Sequence, residues 1–320
     1  MNVLVIGGTG HIGTYLVPML VEAGHAVTVL SRGAREPYRT GPAWQEVRRL
    51  VCDRVAEEKA GTFADRIRGL KSDAVVDLIC FKLQSARALV AALRDEVKHL
   101  LHCGTIWIYG PTELSPTPED FPRRPIGEYG VQKAAIEAYL HEQAQTRGFP
   151  ATCVHPGHIS GPGWMPINPA GNLNPSVFEK LATGQEVLLP DQGLAMLHHV
   201  HAADVAQVFM SALNRDVSFG ESFHAVSPAA LTLRGYAGAV ASWFERQANL
   251  RFVPWDQWKA AATARDAEIT WDHISRSPCA SMEKARRLLG FSPRFTSLET
   301  IRASLAWLIE NGKVKAPAMK

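Results

Sequence analysis

Short apolar runs alternate with helical patterns along the first half of the chain. Between the runs, apolar residues recur every three to four positions, as Leu89, Leu93 and Val97 do, which is the period of an amphipathic helix. Runs that are apolar throughout are typical of parallel strands buried on both faces. The alternation therefore predicts an α/β fold with a doubly wound parallel sheet. The predicted strands cover residues 3–6, 25–30, 49–53, 74–79 and 99–102.

The second half of the chain has a different pattern. Residues 162–190 are rich in proline, glycine and asparagine and contain one short predicted helix at 175–183. The run 220–226 predicts a further strand, and most of the chain after it has helical periodicity. We therefore expect a sheet domain and a smaller, mostly helical C-terminal substrate lobe. The sheet domain is expected to comprise residues 1–160 with a return at 200–226, and the lobe residues 161–199 and 227–320.

Capping residues mark two of the predicted helix starts. Asp204 precedes the apolar periodicity at Val205, and an aspartate at this place typically caps a helix. Thr296 and Glu299 have the spacing of a capping box at the start of the last helix. We expect helices to begin at both points.

A glycine-rich turn joins the first predicted strand to the first predicted helix. Glycines stand at Gly7, Gly10 and Gly13, directly after the apolar run 3–6. The first glycine permits a tight turn, the next lets backbone N–H groups approach a phosphate, and the third lets helix pack on strand. The order strand, turn, helix predicts a site for a dinucleotide pyrophosphate. His11 and Ile12, within the same turn, are candidate cofactor contacts.

The residues after the second strand decide between two cofactors. An NAD site usually places an acid there to accept from the adenosine ribose. This chain has Ser31 and Arg32 instead, with Arg35 close behind and no acid before Glu36. Arginines hold a 2′-phosphate through charge-assisted hydrogen bonds, so the sequence favours NADP over NAD. The alternative is that the two arginines are simply solvated on a surface loop.

Two other strand ends supply cofactor candidates. The third run ends at Asp53, whose carboxylate can accept from the adenine amine or simply face solvent. The fourth run is followed by Leu78, Ile79 and Cys80. Because doubly wound sheets bind ligands at the carboxyl ends of their strands, these residues are included among the cofactor contacts.

Residues beyond the fifth strand predict proton-transfer chemistry. Tyr129 and Lys133 are four residues apart at the start of a predicted helix, so they share one helical face. A neighbouring ammonium favours the phenolate and lowers the pKa of a tyrosine, which otherwise lies near 10. Thr105, directly after the fifth strand, supplies a hydroxyl that can hold a substrate oxygen beside the phenol. Taken without its context, this spacing also suits a tyrosine that merely packs.

These motifs together resemble the extended branch of the short-chain dehydrogenase/reductase superfamily, which comprises NAD(P)-dependent epimerases and dehydratases with a Rossmann sheet. The matching segments extend over the length of the chain. They are GGTGHIG (7–13), GTIWIYG (104–110), YGVQK (129–133), HPGHISGPG (155–163), HVHAADVA (199–206) and KARRLLGFSP (284–293).

The resemblance implies roles for individual residues. Thr105 takes the place of the catalytic serine or threonine, Tyr129 that of the acid–base and Lys133 that of the lysine on the nicotinamide ribose. Pro156, Gly157, His158 and Ile159 are implied to lie along the nicotinamide, with His158 facing the substrate. The resemblance also implies a homodimer formed through helices near 84–98 and 129–147.

Two departures from the family pattern disfavour particular activities and substrates of the family. Thr105 is followed by Ile106 and Trp107 rather than by the Asp-Glu pair of the sugar 4,6-dehydratases, so dehydration is disfavoured. The arginine that often binds a nucleotide diphosphate in this family falls on Leu197. A UDP-sugar therefore becomes a doubtful substrate, unless Arg276 supplies the charge.

Aromatic and amide side chains supply substrate candidates. Trp107 follows Thr105, and Trp164 and Asn172 lie in the proline-rich segment after the nicotinamide-facing residues. An indole and an amide can stack on and bond to a polyol or sugar ring. The alternative for Trp164 and Asn172 is ordinary loop packing.

Composition excludes several other classes of protein. The net charge is only +3, so we expect no nucleic-acid partner. The five cysteines are odd in number and form no C-x-x-C pair, which favours a reducing cytoplasm. The first strand begins within three residues of Met1 and no apolar run is long enough for a membrane span, so we expect neither signal peptide nor membrane anchor. His198, His199 and His201 lack the spacing of a metal site, and we expect none.

The sequence thus predicts an NADP-dependent oxidoreductase or epimerase that transfers hydride at a secondary alcohol or ketone of a small, sugar-like substrate. The alternative is a cofactor-sensing or RNA-binding protein of the same fold, like the chloroplast stem-loop-binding proteins. The complete set of Thr105, Tyr129 and Lys133 favours the enzyme.

Overall fold

The computed structural model describes residues 1–94 and 96–320, with a seven-stranded parallel sheet at its centre. The sheet strands are β1 (Asn2–Ile6), β2 (Ala26–Ser31), β3 (Arg48–Val51), β4 (Ala74–Asp77), β5 (His99–Cys103), β6 (Ala151–Pro156) and β11 (Glu221–Ala225). Their spatial order is β11-β6-β5-β4-β1-β2-β3. The chain runs outward from β1 to β3 and then returns to the other side of β1, so the order reverses between β1 and β4. A doubly wound sheet opens its ligand crevice at such a reversal.

Among the described residues, three short strand pairs lie outside this sheet. Strands β7 (His158–Ser160) and β10 (His199–His201) are parallel, as are β8 (Val187–Pro190) and β13 (Leu250–Val253). Strands β9 (Met196–Leu197) and β12 (Leu231–Thr232) are antiparallel.

Helices cover both faces of the sheet and make up most of the C-terminal third of the described chain. They are α1 (Gly13–Glu22), α2 (Arg54–Ala60), α3 (Phe63–Gly69), α4 (Leu83–Leu93), α5 (Gly127–Arg147), α6 (Ser176–Thr183), α7 (Ala202–Ala212), α8 (Leu233–Ser242), α9 (Trp255–Ala261), α10 (Ala264–Ile274), α11 (Glu283–Leu289) and α12 (Ser297–Glu310). Short 3-10 helices lie at Pro42–Gln45, Ile106–Tyr109 and Asp216–Ser218.

Alternate residues of β1 pack into the core on opposite faces of the sheet. Val3 and Val5 pack with α1 and α7, whereas Leu4 and Ile6 pack on the opposite side with α3, α4 and α5. All four are at most 1% exposed. A strand apolar on both faces needs helices on both faces, which is why the uninterrupted apolar run predicted a doubly wound sheet. A third apolar cluster joins α6, α8 and α12.

Two helix boundaries differ from the sequence prediction by three residues or more. Helix α7 begins at Ala202, not Val205, because the His201 side chain accepts the Ala203 N–H at 3.1 Å and caps it. Asp204 was therefore wrongly predicted as the cap: it is 1% exposed and accepts the N–H groups of Arg294 and Phe295 at 3.1 and 3.2 Å. The Asp204 side chain thus links the segment before α12 to helix α7 through hydrogen bonds.

The other difference concerns α4, which ends at Leu93, so Val97 lies beyond it. Residue 95, inside the helix range 84–98 expected to form a dimer contact, lies outside the described residues. Val97 is nonetheless buried in the core beneath α4. The predicted capping box is confirmed, since Thr296 and Glu299 each accept the main-chain N–H of the other.

All five cysteines are free thiols, and four of them are buried. None of the helices described combines the length and apolar character that crossing a bilayer requires.

Candidate active site

A cleft of about 460 Å³ opens at the carboxyl ends of β1, β4, β5 and β6, beside the reversal of strand order. Most of the predicted cofactor and catalytic residues line it. These are Gly7, Gly10, His11, Ile12, Gly13, Leu78, Ile79, Thr105, Tyr129, Lys133, Pro156, Gly157, His158, Ile159 and Trp164. Trp107 lines a smaller adjoining pocket together with Thr105, Tyr129 and His158. Residues far apart in sequence meet here because parallel strands present their carboxyl ends at one edge.

The glycine turn is shaped as a dinucleotide loop requires. Gly7 has φ +85° and donates its N–H to the Leu30 carbonyl at 2.8 Å, which ties the turn to β2. A Cβ on Gly13 would lie 2.1 Å from the Gly8 carbonyl oxygen, so only glycine lets α1 begin this close to the turn. A Cβ on Gly10 would meet only the Gly7 oxygen, at 3.3 Å, which leaves the surface of the turn open. The loop therefore fits a pyrophosphate seated against the start of α1.

His11 and Trp164 form a stacked pair beside this loop. Their ring centroids are 4.7 Å apart and the planes differ by 9°. His11 Nδ1 also hydrogen-bonds the Tyr38 hydroxyl, and burial lowers the pKa of His11 to about 3. Trp164 was predicted to stack on a substrate ring, but the structure places its indole at the glycine-loop end of the cleft. Its substrate role stays a prediction.

The predicted adenosine contacts lie outside the cleft lining. Ser31 ends β2 and its Oγ accepts the Gly33 N–H at 3.4 Å. Arg32 and Arg35 follow on an exposed turn. Because Ile6 pairs with Leu30 in the sheet, this turn lies directly beside the glycine loop. The phosphate contact of the two arginines stays a prediction that this placement allows.

Asp53 and Cys80 use their polar atoms within the protein. The Asp53 carboxylate accepts the Ala56 N–H at 3.0 Å and caps α2 while remaining exposed. Cys80 presents its main-chain oxygen to Lys133, whereas its thiol is buried. The sequence did not indicate either interaction.

Tyr129 and Lys133 lie on one face of α5, as their spacing predicted. The Lys133 side chain is 1% exposed and its Nζ donates to the carbonyls of Cys80 and Cys103 at 2.7 and 2.6 Å. Cys103 ends β5 and Cys80 lies three residues beyond the end of the neighbouring β4, so the ammonium joins α5 to this edge of the sheet. Tyr129 is 41% exposed, toward the cleft that it lines. One hydrogen of the ammonium remains for a ligand, because an ammonium has three.

The pKa of Tyr129 departs from the expected direction. The protein walls around the phenol remove water from it and raise its pKa, and the Cys103 thiol acts in the same direction. The nearby Thr105 side chain opposes both effects. Burial also lowers the pKa of Lys133. Desolvation is the largest influence on the pKa of Tyr129, and the lowering expected from the Lys133 ammonium is not observed.

Thr105 connects β5 to a 3-10 helix at the floor of the cleft. It is 7% exposed, and its Oγ1 accepts the Trp107 N–H at 3.3 Å. Its own N–H donates to His155 Nδ1 at 2.9 Å. The hydroxyl is thus held beside Tyr129 by its own bond to the Trp107 main chain and by the bond from the Thr105 nitrogen to the His155 ring.

Histidine and apolar side chains line the remaining end of the cleft. His158 lies 5.0 Å from His273, and His273 lies 5.1 Å from Trp107, measured between ring centroids. His273 comes from α10, and nothing in its sequence surroundings indicated a place in the cleft. The other lining residues that sequence reasoning missed are Phe81, Met165, Ile167 and Leu173.

Asn172 and Arg276 do not reach this end of the cleft. Asn172 is 2% exposed and bonds Asn168 and Thr270 at 2.6 and 3.0 Å, so its prediction as a substrate contact was wrong. A buried amide must be hydrogen-bonded, and this one orders its own loop. Arg276 is 2% exposed, lies over the Trp107 ring at 4.1 Å and donates to the Ile126 carbonyl at 2.6 Å. Its charge is used within the protein.

The histidines in and beside β10 each bond to the main chain. His198 Nε2 donates to the Ser227 carbonyl at 2.8 Å and His199 Nε2 to the Ile167 carbonyl at 3.0 Å. Across residues 1–94 and 96–320, histidines, cysteines and carboxylates form no group of three arranged to hold a metal ion.

Similar proteins include both a binding protein and enzymes. The chloroplast stem-loop binding protein of 41 kDa b from Arabidopsis thaliana is 24% identical over 95% of this chain and 78% of its own length. The 2′-dehydrokanamycin reductase of Streptomyces kanamyceticus is 27% identical over 86% of this chain and 76% of its own. The crystal structure of UDP-glucose 4-epimerase from Thermotoga maritima, with UDP-glucose, has the same fold: the TM-score is 0.74 at 20% identity, over 97% of this chain and 99% of that one.

The model of the NAD dependent epimerase/dehydratase family matches residues 3–224. This match contains the glycine loop, Thr105, Tyr129, Lys133 and His158, and it supports a nicotinamide cofactor for the cleft. The chain therefore belongs to the NAD dependent epimerase/dehydratase family.

Proposed function

We propose that this protein is an NADP(H)-dependent oxidoreductase or epimerase that transfers hydride at a secondary alcohol or ketone of an uncharged, hydroxyl-bearing, sugar-like substrate. The observation that carries the proposal is the meeting of Thr105, Tyr129 and Lys133 in the cleft that also contains the glycine loop. A phenol, a hydroxyl and an ammonium at the end of a dinucleotide site are the groups that carbonyl chemistry requires.

Tyr129 handles the proton. In the oxidation direction its Oη takes the proton of the substrate hydroxyl, and in the reduction direction it returns that proton to the carbonyl oxygen. Thr105 Oγ1 donates a hydrogen bond to the same oxygen and so fixes its position beside the phenol. The nicotinamide, when bound, accepts or supplies the hydride.

Three groups of residues would hold the cofactor. The turn from Gly7 to Gly13 would receive the pyrophosphate, and the remaining hydrogen of the Lys133 ammonium would bond a ribose hydroxyl. Pro156, Gly157 and Ile159 would lie along the nicotinamide. Exclusion of water from the cleft would strengthen the influence of the Lys133 ammonium and the Tyr129 phenol on each other's pKa.

The preference for NADP rests on the turn after β2. Arg32 and Arg35 place two positive charges beside the glycine loop, and the first acid after them is already paired. Glu36 accepts from Arg49 at 2.6 Å. A 2′-phosphate would therefore meet guanidinium groups rather than a free carboxylate.

One hydrogen-bond donor and one acceptor on two imidazole rings support an uncharged, hydroxyl-bearing substrate. His158 Nδ1 accepts the His198 N–H at 3.1 Å, so the ring hydrogen is on Nε2, which has no partner among the described residues. His273 Nδ1 donates to the Ile269 carbonyl at 2.6 Å, so its Nε2 is an acceptor. Burial lowers the pKa of His158 and brings that of His273 to about 4, so both rings are neutral at physiological pH. A hydroxyl group, which donates and accepts, satisfies such a pair.

Turnover of the reduced cofactor tests the proposal. The purified protein is incubated with NADPH or NADH and a panel of neutral hydroxyketones, keto-sugars and nucleotide-diphosphate sugars, with the cofactor and the sugar products both measured. We expect NADPH-linked turnover of a neutral member, either as net oxidation of NADPH or as epimer formation at constant cofactor. Hydride transfer with none of the panel, in the presence of either cofactor, would contradict the proposed function.

A further inference from the structure

Glu137 continues the series that Tyr129 and Lys133 begin on α5, one further turn along the same face. It is 2% exposed and faces away from the cleft into the core. Its carboxylate accepts from Arg123 in a bidentate pair at 2.8 and 2.8 Å, from His155 Nε2 at 2.9 Å and from Ser222 Oγ at 2.6 Å. A buried carboxylate is tolerated only when its charge is compensated in this way.

The carboxylate is charged at physiological pH. Burial alone would raise the pKa of Glu137, but the His155 ring and the Arg123 guanidinium outweigh it and hold the pKa far below its usual range. Arg123 reaches the surface and is 26% exposed, so it neutralises the carboxylate from outside. The acceptor offered to His155 is therefore a permanent anion.

The contacts of His155 leave only one tautomer. The ring is fully buried, and its Nδ1 lies 2.9 Å from the main-chain nitrogen of Thr105. A backbone N–H always donates, so Nδ1 is unprotonated. The ring hydrogen must then be on Nε2, where it donates to Glu137. The negative Glu137 carboxylate beside Nε2 stabilises the tautomer that has its hydrogen there. Carboxylates orient imidazole rings in the same way at other protein sites.

Gly104 permits the close approach of the ring to the strand end. A Cβ at this position would lie 2.1 Å from His155 Nδ1, so any side chain would push the imidazole away from the Thr105 N–H. Position 104 must therefore be a glycine so that the His155 ring can approach, which the sequence alone did not reveal. With the ring in place, Thr105 is fixed by a bond at its nitrogen and a second bond at its hydroxyl.

We propose that Glu137 and His155 are positioning residues for the reaction: the carboxylate sets the His155 tautomer, and His155 holds the Thr105 main chain so that Oγ1 stays beside Tyr129. This inference rests on the proposed function, because Thr105 and Tyr129 are assigned there. Neither residue touches the cleft. The effect is transmitted through two hydrogen bonds, and a displacement of about 1 Å at a reacting group can cost about a hundredfold in rate.

Substitutions at His155 separate positioning from general stability. His155→Leu removes both hydrogen bonds, whereas the amide oxygen of His155→Asn can take the place of Nδ1 and accept the Thr105 N–H. His99→Leu is the matched control. His99 is equally buried, accepts the Asn214 N–H at 3.0 Å and bonds the Thr152 hydroxyl at 2.8 Å, but it lies at the opposite end of β5.

We expect kcat of His155→Leu to fall about 10- to 100-fold while the Kd for NADPH changes less than about twofold. His155→Asn should recover at least about half of that loss on a logarithmic scale, and His99→Leu should keep kcat while losing thermal stability. The inference is overturned if His155→Leu has the kcat of His99→Leu, or if His155→Leu and His155→Asn lose activity equally.

A second measurement does not depend on turnover. Hydrogen exchange of the Thr105 amide should be slow in the wild type and in His155→Asn, and fast in His155→Leu. Exchange that is equally slow in all three proteins would overturn the proposed positioning of Thr105 by His155. A wild type without hydride transfer, or a fully active Tyr129→Phe variant, would instead contradict the proposed function, so the two failures are distinguishable.

Discussion

The Nζ atom of Lys133 lies 5.8 Å from the centroid of the Tyr129 ring. It holds its position by donating to the Cys80 and Cys103 carbonyls, not by bonding the phenol. The two carbonyls therefore fix the ammonium to the sheet edge, close to the Tyr129 ring. This geometry makes Lys133 both a part of the framework of the cleft and a charge beside the reacting group.

Lys133→Met should affect catalysis and cofactor binding together. The substitution keeps most of the buried volume but removes the charge and both carbonyl contacts, so we expect kcat/KM to fall about 10²- to 10⁴-fold. The Kd for NADPH should rise in the same variant, as measured by fluorescence titration. Lys259→Met, at an exposed position on α9, serves as the control and should leave both quantities unchanged. A Lys133→Met protein with wild-type kcat/KM would contradict the assignment.

Arg32→Ala should change the choice of cofactor. Losing one charge-assisted hydrogen bond of about 1.5–3 kcal/mol corresponds to about a 10- to 100-fold rise in the Kd for NADPH. The Kd for NADH should stay within about twofold, because NADH carries no 2′-phosphate. Arg68→Ala on α3, where the arginine is exposed and paired with Asp65, is the matched control. An equal weakening of both cofactors in Arg32→Ala would argue against a phosphate contact.

Acid should destabilise the fold before its carboxylates titrate. Burial lowers the pKa of His11, His99, His199 and His224 to about 3, and of His198, His201 and His273 to about 4. In the unfolded chain a histidine has a pKa of about 6.5. Between these values the unfolded state binds more protons, so the free energy of unfolding decreases as the pH falls below about 6.5.

Thermal unfolding followed by circular dichroism checks this prediction. The Tm should be nearly constant above pH 7 and should decrease steadily from about pH 6.5 to 5. A Tm that does not change between pH 7.5 and 5 would contradict lowered histidine pKa values in the folded protein.

Two glycines should respond to alanine in opposite directions. In Gly13→Ala the new Cβ would lie 2.1 Å from the Gly8 carbonyl oxygen, a backbone atom that cannot move without opening the turn. We expect a loss of stability of at least about 1–3 kcal/mol, together with weaker NADPH binding. Gly238→Ala on α8 meets no atom within 4 Å and should raise stability by about 0.5–1 kcal/mol. Urea denaturation of both variants provides the comparison, and a Gly13→Ala protein as stable as the wild type would contradict it.

Local patterns in the sequence predicted the parts of the site that depend on local geometry. The glycine turn follows an apolar strand and precedes a helix, and Tyr129 and Lys133 share one helical face whatever the rest of the fold does. The sheet itself was predictable because strands buried on both faces are largely apolar, as residues 3–6 of β1 and 74–76 of β4 are.

Contacts between distant segments were not predictable from the sequence. His273 reaches the cleft from α10, and Trp164 lies against His11, because loops after β7 and helices of the C-terminal part fold back over the sheet edge. The cap of α7 was missed for the same reason. Asp204 has the local signature of a cap, but long-range bonds to Arg294 and Phe295 use its carboxylate instead.

Replacement of Tyr129 by phenylalanine tests the central claim most directly. The variant keeps the ring and removes only the hydroxyl, so NADPH should bind with an unchanged Kd. With the substrate that the wild type turns over, measured at saturating NADPH, we predict that kcat falls about 10²- to 10⁴-fold. A Tyr129→Phe protein that retains the wild-type kcat would contradict the account.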